Sequence, residues 1–90
     1  MRIENIANRK LKMKRQEIIE RLTPLAQRVF EKPDLELIDT LSAETLDTWT
    51  SLAFMQLLEA IEQDFGFRFK MMELLSLKTM GNIIDAIAKH

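Results

Sequence analysis

Apolar residues recur along this chain at helical rather than strand spacing. Ile18, Leu22, Leu25 and Val29 follow one another at steps of four, three and four, and Ile19, Ala26 and Phe30 widen the stripe. That pattern predicts an amphipathic helix over residues 15–31. Pro24 lies inside it, where proline in a regular helix costs roughly 3 kcal/mol. The stripe passes Pro24 without changing phase, so a kink is expected, the alternative being a second short helix opened by Thr23-Pro24. Pro33-Asp34 ends the segment. From Lys32 to about Thr50 no period lasts, although Leu35, Leu37, Ile38, Leu41 and Leu46 are apolar. A loop this long, seeded with leucines, is expected to lie across a core, with Trp49 as its packed anchor.

Residues 51–65, SLAFMQLLEAIEQDF, form the strongest helical pattern and are closed by Gly66, a favoured left-handed terminator. At about 100° per residue, Phe54, Leu57, Leu58, Ile61 and Phe65 share one arc that suits a core. Leu52 and Met55 fall on the opposite arc with Gln56, Glu59, Glu62 and Gln63. Two large apolar side chains among acids, one turn into a helix, suggest a docking surface, unless neighbouring elements cover them. After a connector at Phe67-Arg68-Phe69, residues 71–77 read as a short helix without a clean face. A last helix follows, with Thr79 as N-cap, Asn82 three residues on, and Met80, Ile83, Ile84 and Ile87 as its buried stripe. The prediction is an all-α domain: a four-helix bundle with a long loop between its first and second helices.

Composition narrows the functions open to such a bundle. Ninety residues with 2 Gly, 2 Pro and no Cys allow a single domain and exclude a disulfide framework, a thiolate metal site and a cysteine nucleophile. The formal net charge is −1, unevenly distributed. Residues 1–15 hold Arg2, Arg9, Lys10, Lys12, Lys14 and Arg15 against Glu4 alone, which leaves 7 basic and 13 acidic residues in 16–90. Residues 1–14 thus read as a basic, mobile tail, with Met13 offering an alternative start, and residues 15–90 as the folded domain. An acidic body disfavours nucleic acid and suits basic protein partners. Without an apolar leader or a stretch approaching the roughly 20 apolar residues of a span, membrane insertion and secretion are not expected, and the cytoplasm is the expected compartment.

Candidate chemistry is sparse. A Ser or Thr at the start of a helix reads first as a cap. Ser51 has no nearby partner that would make it a nucleophile, since the one His is His90 and no Cys or Tyr exists. Glu59 and Glu62 stand at i, i+3 spacing with no His beside them, a solvated acidic face rather than a metal pair. Met71, Met72 and Met80 are expected to fill gaps in the core, or to adapt a pocket to a variable chain.

The run Trp49-Thr50-Ser51-Leu52-Ala53, followed by Leu57-Leu58-Glu59-Ala60-Ile61-Glu62 and Phe65-Gly66-Phe67-Arg68-Phe69, resembles the attachment motif and second helix of acyl carrier proteins. Leu77-Lys78-Thr79-Met80-Gly81-Asn82-Ile83-Ile84 is similar to their closing helix, and Val29-Phe30 with Pro33-Asp34-Leu35 fits the end of the first. The likeness spans roughly residues 15–89. It implies a non-catalytic, monomeric carrier whose Ser51 receives 4′-phosphopantetheine from coenzyme A, transferred by a separate phosphopantetheinyl transferase using Mg²⁺. It further implies that acyl or aminoacyl groups ride on the arm as thioesters, presented to loading and biosynthetic enzymes of a pathway such as fatty acid or polyketide assembly. The implied recognition surface comprises Thr50, Leu52, Met55, Gln56, Glu59 and Glu62. Two of these depart from the pattern: Thr50 stands where the family usually has Asp, and Gln56 where many members have an acid. A helical interaction module that is never modified is the rival reading. A small enzyme is disfavoured, because no base, nucleophile pair, metal set or phosphate loop can be assembled.

Overall fold

The computed structural model describes residues 13–90, so the expected leader lies, for residues 1–12, outside the described residues. Helix α1, Arg15–Phe30, buries Ile18, Leu22, Ala26 and Phe30, each four residues after the last. Four residues exceed one turn of 3.6, so the stripe winds around the helix and leaves Ile19, Leu25 and Val29 at its half-buried margins. Pro24 does not break the helix. It stands on the exposed face with Glu20, whose carbonyl loses its amide partner on the side open to water. Ahead of the helix, Met13 packs at the edge of the core and the Lys14 amide donates to Glu17 Oε1 at 3.1 Å.

Helix α2, Ser51–Phe65, buries Ala53, Leu57, Leu58 and Ile61 and ends at Gly66, whose φ of 78° is the left-handed conformation expected there. Phe54 and Phe65 are only half-buried, because Ala53 rather than Phe54 faces the centre of the core. The Arg21 guanidinium lies over the Phe65 ring at 4.3 Å, while its Nη2 donates to the Asp64 carbonyl and carboxylate at 2.7 and 2.9 Å.

Helix α3 is shorter than the pattern over 71–77 suggested: it spans Met71–Leu74 and buries no residue. Met71 and Met72 are 72% and 76% exposed, so of the methionines expected in the core only Met80 fills it. Helix α4, Met80–Ala88, has the predicted stripe of Met80, Ile83, Ile84 and Ile87, all buried. Its start is capped on both sides: Thr79 Oγ1 accepts from the Asn82 amide, and Asn82 Oδ1 accepts from the Thr79 and Lys78 amides, all at 3.1 Å.

Helix α1 packs against both α2 and α4. The connection over residues 31–50 crosses the end of this core, burying Leu37, Leu41, Leu46 and Trp49. It is fastened to α4 through the backbone, with the Met80 amide donating to the Leu41 carbonyl at 2.8 Å and the Gly81 amide to the Asp39 carbonyl at 3.0 Å. Amides that a helix start leaves unpaired are thereby satisfied by the loop. Gly81 makes the approach feasible, since a Cβ there would lie 3.1 Å from the Asp39 carbonyl oxygen.

The largest wholly buried side chains are Phe30, Ile18, Leu22, Leu57, Ile61, Met80, Ile83 and Ile84. Each such burial is worth about 1.5–3 kcal/mol. The exposed pairs of Arg15 with Asp39 and Asp85, and of Arg21 with Asp64, contribute about 0–1 kcal/mol each, so the core dominates. Among the described residues, no helix is long and apolar enough to cross a membrane.

Candidate functional site

The segment leading into α2 decides what Ser51 is free to do. The Trp49 amide donates to the Leu46 carbonyl at 3.0 Å, and the Thr50 amide to the Thr48 carbonyl at 2.9 Å, which turns the chain sharply before the helix. Thr50 is extended, with φ −93° and ψ 172°, and its Oγ1 accepts from the Ala53 amide at 3.1 Å. Thr50 is therefore the cap, and Ser51, the first helical residue, is not needed for that bond. Ser51 is exposed, and no described residue hydrogen-bonds its hydroxyl.

The electrostatics favour an anion on that hydroxyl. The Ser51 and Leu52 amides have no protein partner among the described residues, and the first turn of α2 carries no acid. The positive end of the helix dipole is thus not offset by a carboxylate of its own first turn, and a phosphate ester on Ser51 would meet free amides there. Thr50 keeps the capping function without placing a charge beside the site. Nothing activates Ser51 from within: His90 is engaged elsewhere, with its Nε2 on the Glu73 carboxylate and its ring stacked on Phe67 at 4.1 Å. The site suits a serine modified by another protein.

Of the other residues expected at this surface, Leu52 and Met55 are 68% and 64% exposed, and Gln56 and Glu59 are exposed beside them. Glu62 differs. Its Oε2 accepts from the Phe69 amide at 2.8 Å and its Oε1 lies 3.6 Å from Arg68 Nε, so this carboxylate braces the connector after α2.

A groove of ≈ 470 Å³ that the sequence did not reveal opens beside Ser51. Ser42, Ala43 and Glu44 of the long loop line it, with Trp49, Thr50, Ser51 and Phe54 around the start of α2 and Leu77, Lys78 and Thr79 before α4. Its volume falls in the range of about 300–1,000 Å³ usual for ligand sites. Under it, Trp49 stacks on Phe30 with centroids 5.1 Å apart and on Phe54 at 6.0 Å. Sequence periodicity has no means of finding this feature, because its walls come from segments far apart in the chain. An aromatic just before the helix start was its single local sign.

Residues 16–87 match the family described as "Phosphopantetheine attachment site". Among solved structures, the fold is similar to the holo acyl carrier protein of Geobacter metallireducens, with 32% identity, a TM-score of 0.74, and coverage of 79% of this chain and 82% of that one. It is also similar to a putative acyl carrier protein from Mycobacterium tuberculosis, with a TM-score of 0.71 over 80% of this chain and 96% of that one; at 19% identity, this second likeness concerns the fold alone. Among curated proteins nothing matches the chain.

Proposed function

Because the chain belongs to the phosphopantetheine-attachment family of carrier proteins, we propose that Ser51 is its attachment residue and that the exposed face of α2 presents the loaded carrier to partner enzymes. Carriers of this family do not catalyse; they are modified by phosphopantetheinyl transferases and act with biosynthetic enzymes. In the proposed modification, Ser51 Oγ forms a bond to the phosphorus nearer the pantetheine of coenzyme A. The bond from that phosphorus to the adenosine bisphosphate breaks, the leaving group takes the electron pair, and the serine proton passes to the transferase. Once bound, the arm supplies a thiol on which an acyl or aminoacyl group is held as a thioester.

The observation that carries the reading is the division of labour between Thr50 and Ser51: one hydroxyl holds the helix, and the other stands exposed beside free amides. Leu52, Met55, Gln56 and Glu59 surround it as an apolar and acidic patch suited to a basic partner surface. Incubation with coenzyme A, Mg²⁺ and a promiscuous transferase should raise the intact mass by one phosphopantetheine group and place it on Ser51 by peptide mapping. An unchanged mass with several transferases would favour an unmodified interaction module.

A further inference from the structure

We infer that Lys78 pairs with the phosphate of the arm on Ser51 and so draws the root of the arm to the α4 side of the groove. The inference rests on Ser51 as the attachment residue. It concerns the phosphodiester alone, which is bonded to the Ser51 oxygen and therefore stays beside the groove that Ser51 lines.

Two of the residues lining that groove are charged, and they stand on its two sides: Glu44 in the long loop and Lys78 just before α4. Both are exposed. They do not pair with each other, and among the described residues no carboxylate forms an ion pair with Lys78. The Lys78 amide donates to Asn82 Oδ1 and to the Ser76 carbonyl, both at 3.1 Å, so the backbone that carries this ammonium is fixed by the cap of α4. The bridge between Ser42 and Thr79 holds that side of the groove to the loop.

A phosphodiester carries one negative charge at neutral pH. Between these two sides it is repelled by Glu44 and attracted by Lys78, and the first turn of α2 holds no acid to compete for the ammonium. Lysine meets phosphate as a point charge on a flexible stem, which suits a partner tethered by one bond. An exposed pair is weak and screened by salt, so it biases the direction of the arm without locking it. Lys78 touches no reacting atom in this role; it is a positioning residue.

The test compares apo and holo forms of each protein, so that the effect of a substitution on the fold itself cancels. A promiscuous transferase adds phosphopantetheine from coenzyme A, intact mass confirms the product, and the change in Tm on modification is read at low and at high salt. At low salt this change should be more favourable in the wild type than in Lys78→Gln by about 1–5 °C, the shift an exposed pair gives a domain of this size. Lys78→Arg should keep the wild-type value, and high salt should bring the wild type and Lys78→Gln together. Lys78→Met repeats the comparison if Lys78→Gln does not fold. Equal changes in the wild type and the uncharged variant at low salt overturn the inference alone. A difference that Lys78→Arg does not restore, or that high salt leaves intact, also overturns it, because packing of the lysine stem behaves in that way. Absence of any mass gain overturns the attachment reading and the inference with it.

Discussion

His90 Nε2 lies 3.0 and 2.9 Å from the two carboxylate oxygens of Glu73, joining the end of α4 to α3. Because α3 buries no residue, this contact and the Lys70 amide donating to Glu73 Oε1 at 2.7 Å are prominent among its restraints. The Lys70 amide, and after it His90, hold the Glu73 carboxyl below its ordinary range, against the opposing effect of partial desolvation. A carboxyl depressed in the folded state adds stability that is complete above its unfolded value of about 4.3 and is lost as pH falls through the folded-state value. Amide protection over residues 70–75 should therefore decline on the acid side. Glu73→Gln, which can still accept from Lys70, should flatten that decline; an identical profile in the variant would remove Glu73 as its cause.

Ser51→Ala should abolish modification while leaving thermal stability nearly unchanged, because the capping oxygen belongs to Thr50. Thr50→Val should do the reverse to the fold, with a loss of about 1 kcal/mol for a missing cap. Thr50→Asp retains an oxygen acceptor and introduces the carboxylate usual in the family, a ligand for the Mg²⁺ that the transferase uses; if that metal contact outweighs repulsion of the phosphate, transfer by a promiscuous enzyme quickens. Equal rates for the parent and the Thr50→Asp variant would show that the charge is irrelevant to that transferase.

The depth of each side chain in α2 orders the cost of its removal. Leu57→Ala and Ile61→Ala empty wholly buried positions and should cost about 2–5 kcal/mol in denaturant melts. Met55→Ala, at an exposed position, should stay within about 0.5 kcal/mol. Phe65→Ala belongs between them, since that ring is half-buried and covered on one face by Arg21. Comparable losses for Met55 and Leu57 would place α2 in a different rotation about its axis.

Charge reversal on the exposed face should separate docking from folding. Glu59→Lys is expected to slow association with a cognate enzyme, most clearly at low salt, because exposed charges are screened over about 8 Å at physiological ionic strength. Its circular dichroism should match the parent. Glu62→Lys should also lower stability, since it removes the acceptor of the Phe69 amide. Association rates indifferent to Glu59→Lys and to salt would move the interface off this face.

What the sequence made legible was local. The end of α2 at Gly66, the Thr79 cap with Asn82 three residues on, and the phase of α2 apart from Phe54 and Phe65, which sit at its half-buried margin, are set by residues within a few positions of one another. The exposure of Leu52 and Met55 follows from that same phase. The misread details depend on what arrives from elsewhere. Met71 and Met72 are exposed because no element covers α3, and Glu62 is drawn from the open face by the Phe69 amide seven residues away. The His90–Glu73 contact spans 17 residues. One cue to α3 was available: a glutamate three residues after Lys70 is the acidic half of a capping box.

The joint between the long loop and α4 has a consequence for how this protein can change. The two sides of the groove, around Ser42 and around Thr79, meet in an isolated antiparallel bridge, and the adjoining bonds run from the Met80 and Gly81 amides to backbone carbonyls. Its spacing at that end is therefore written in main-chain atoms, which substitution of the lining side chains does not remove. For the fold, the exposed positions 43, 44 and 78 become interchangeable fittings on a fixed jig. The lining can change there one residue at a time, while a side chain at Gly81, remote from the groove's lining, would press on Asp39 at 3.1 Å and push back the loop that carries one wall.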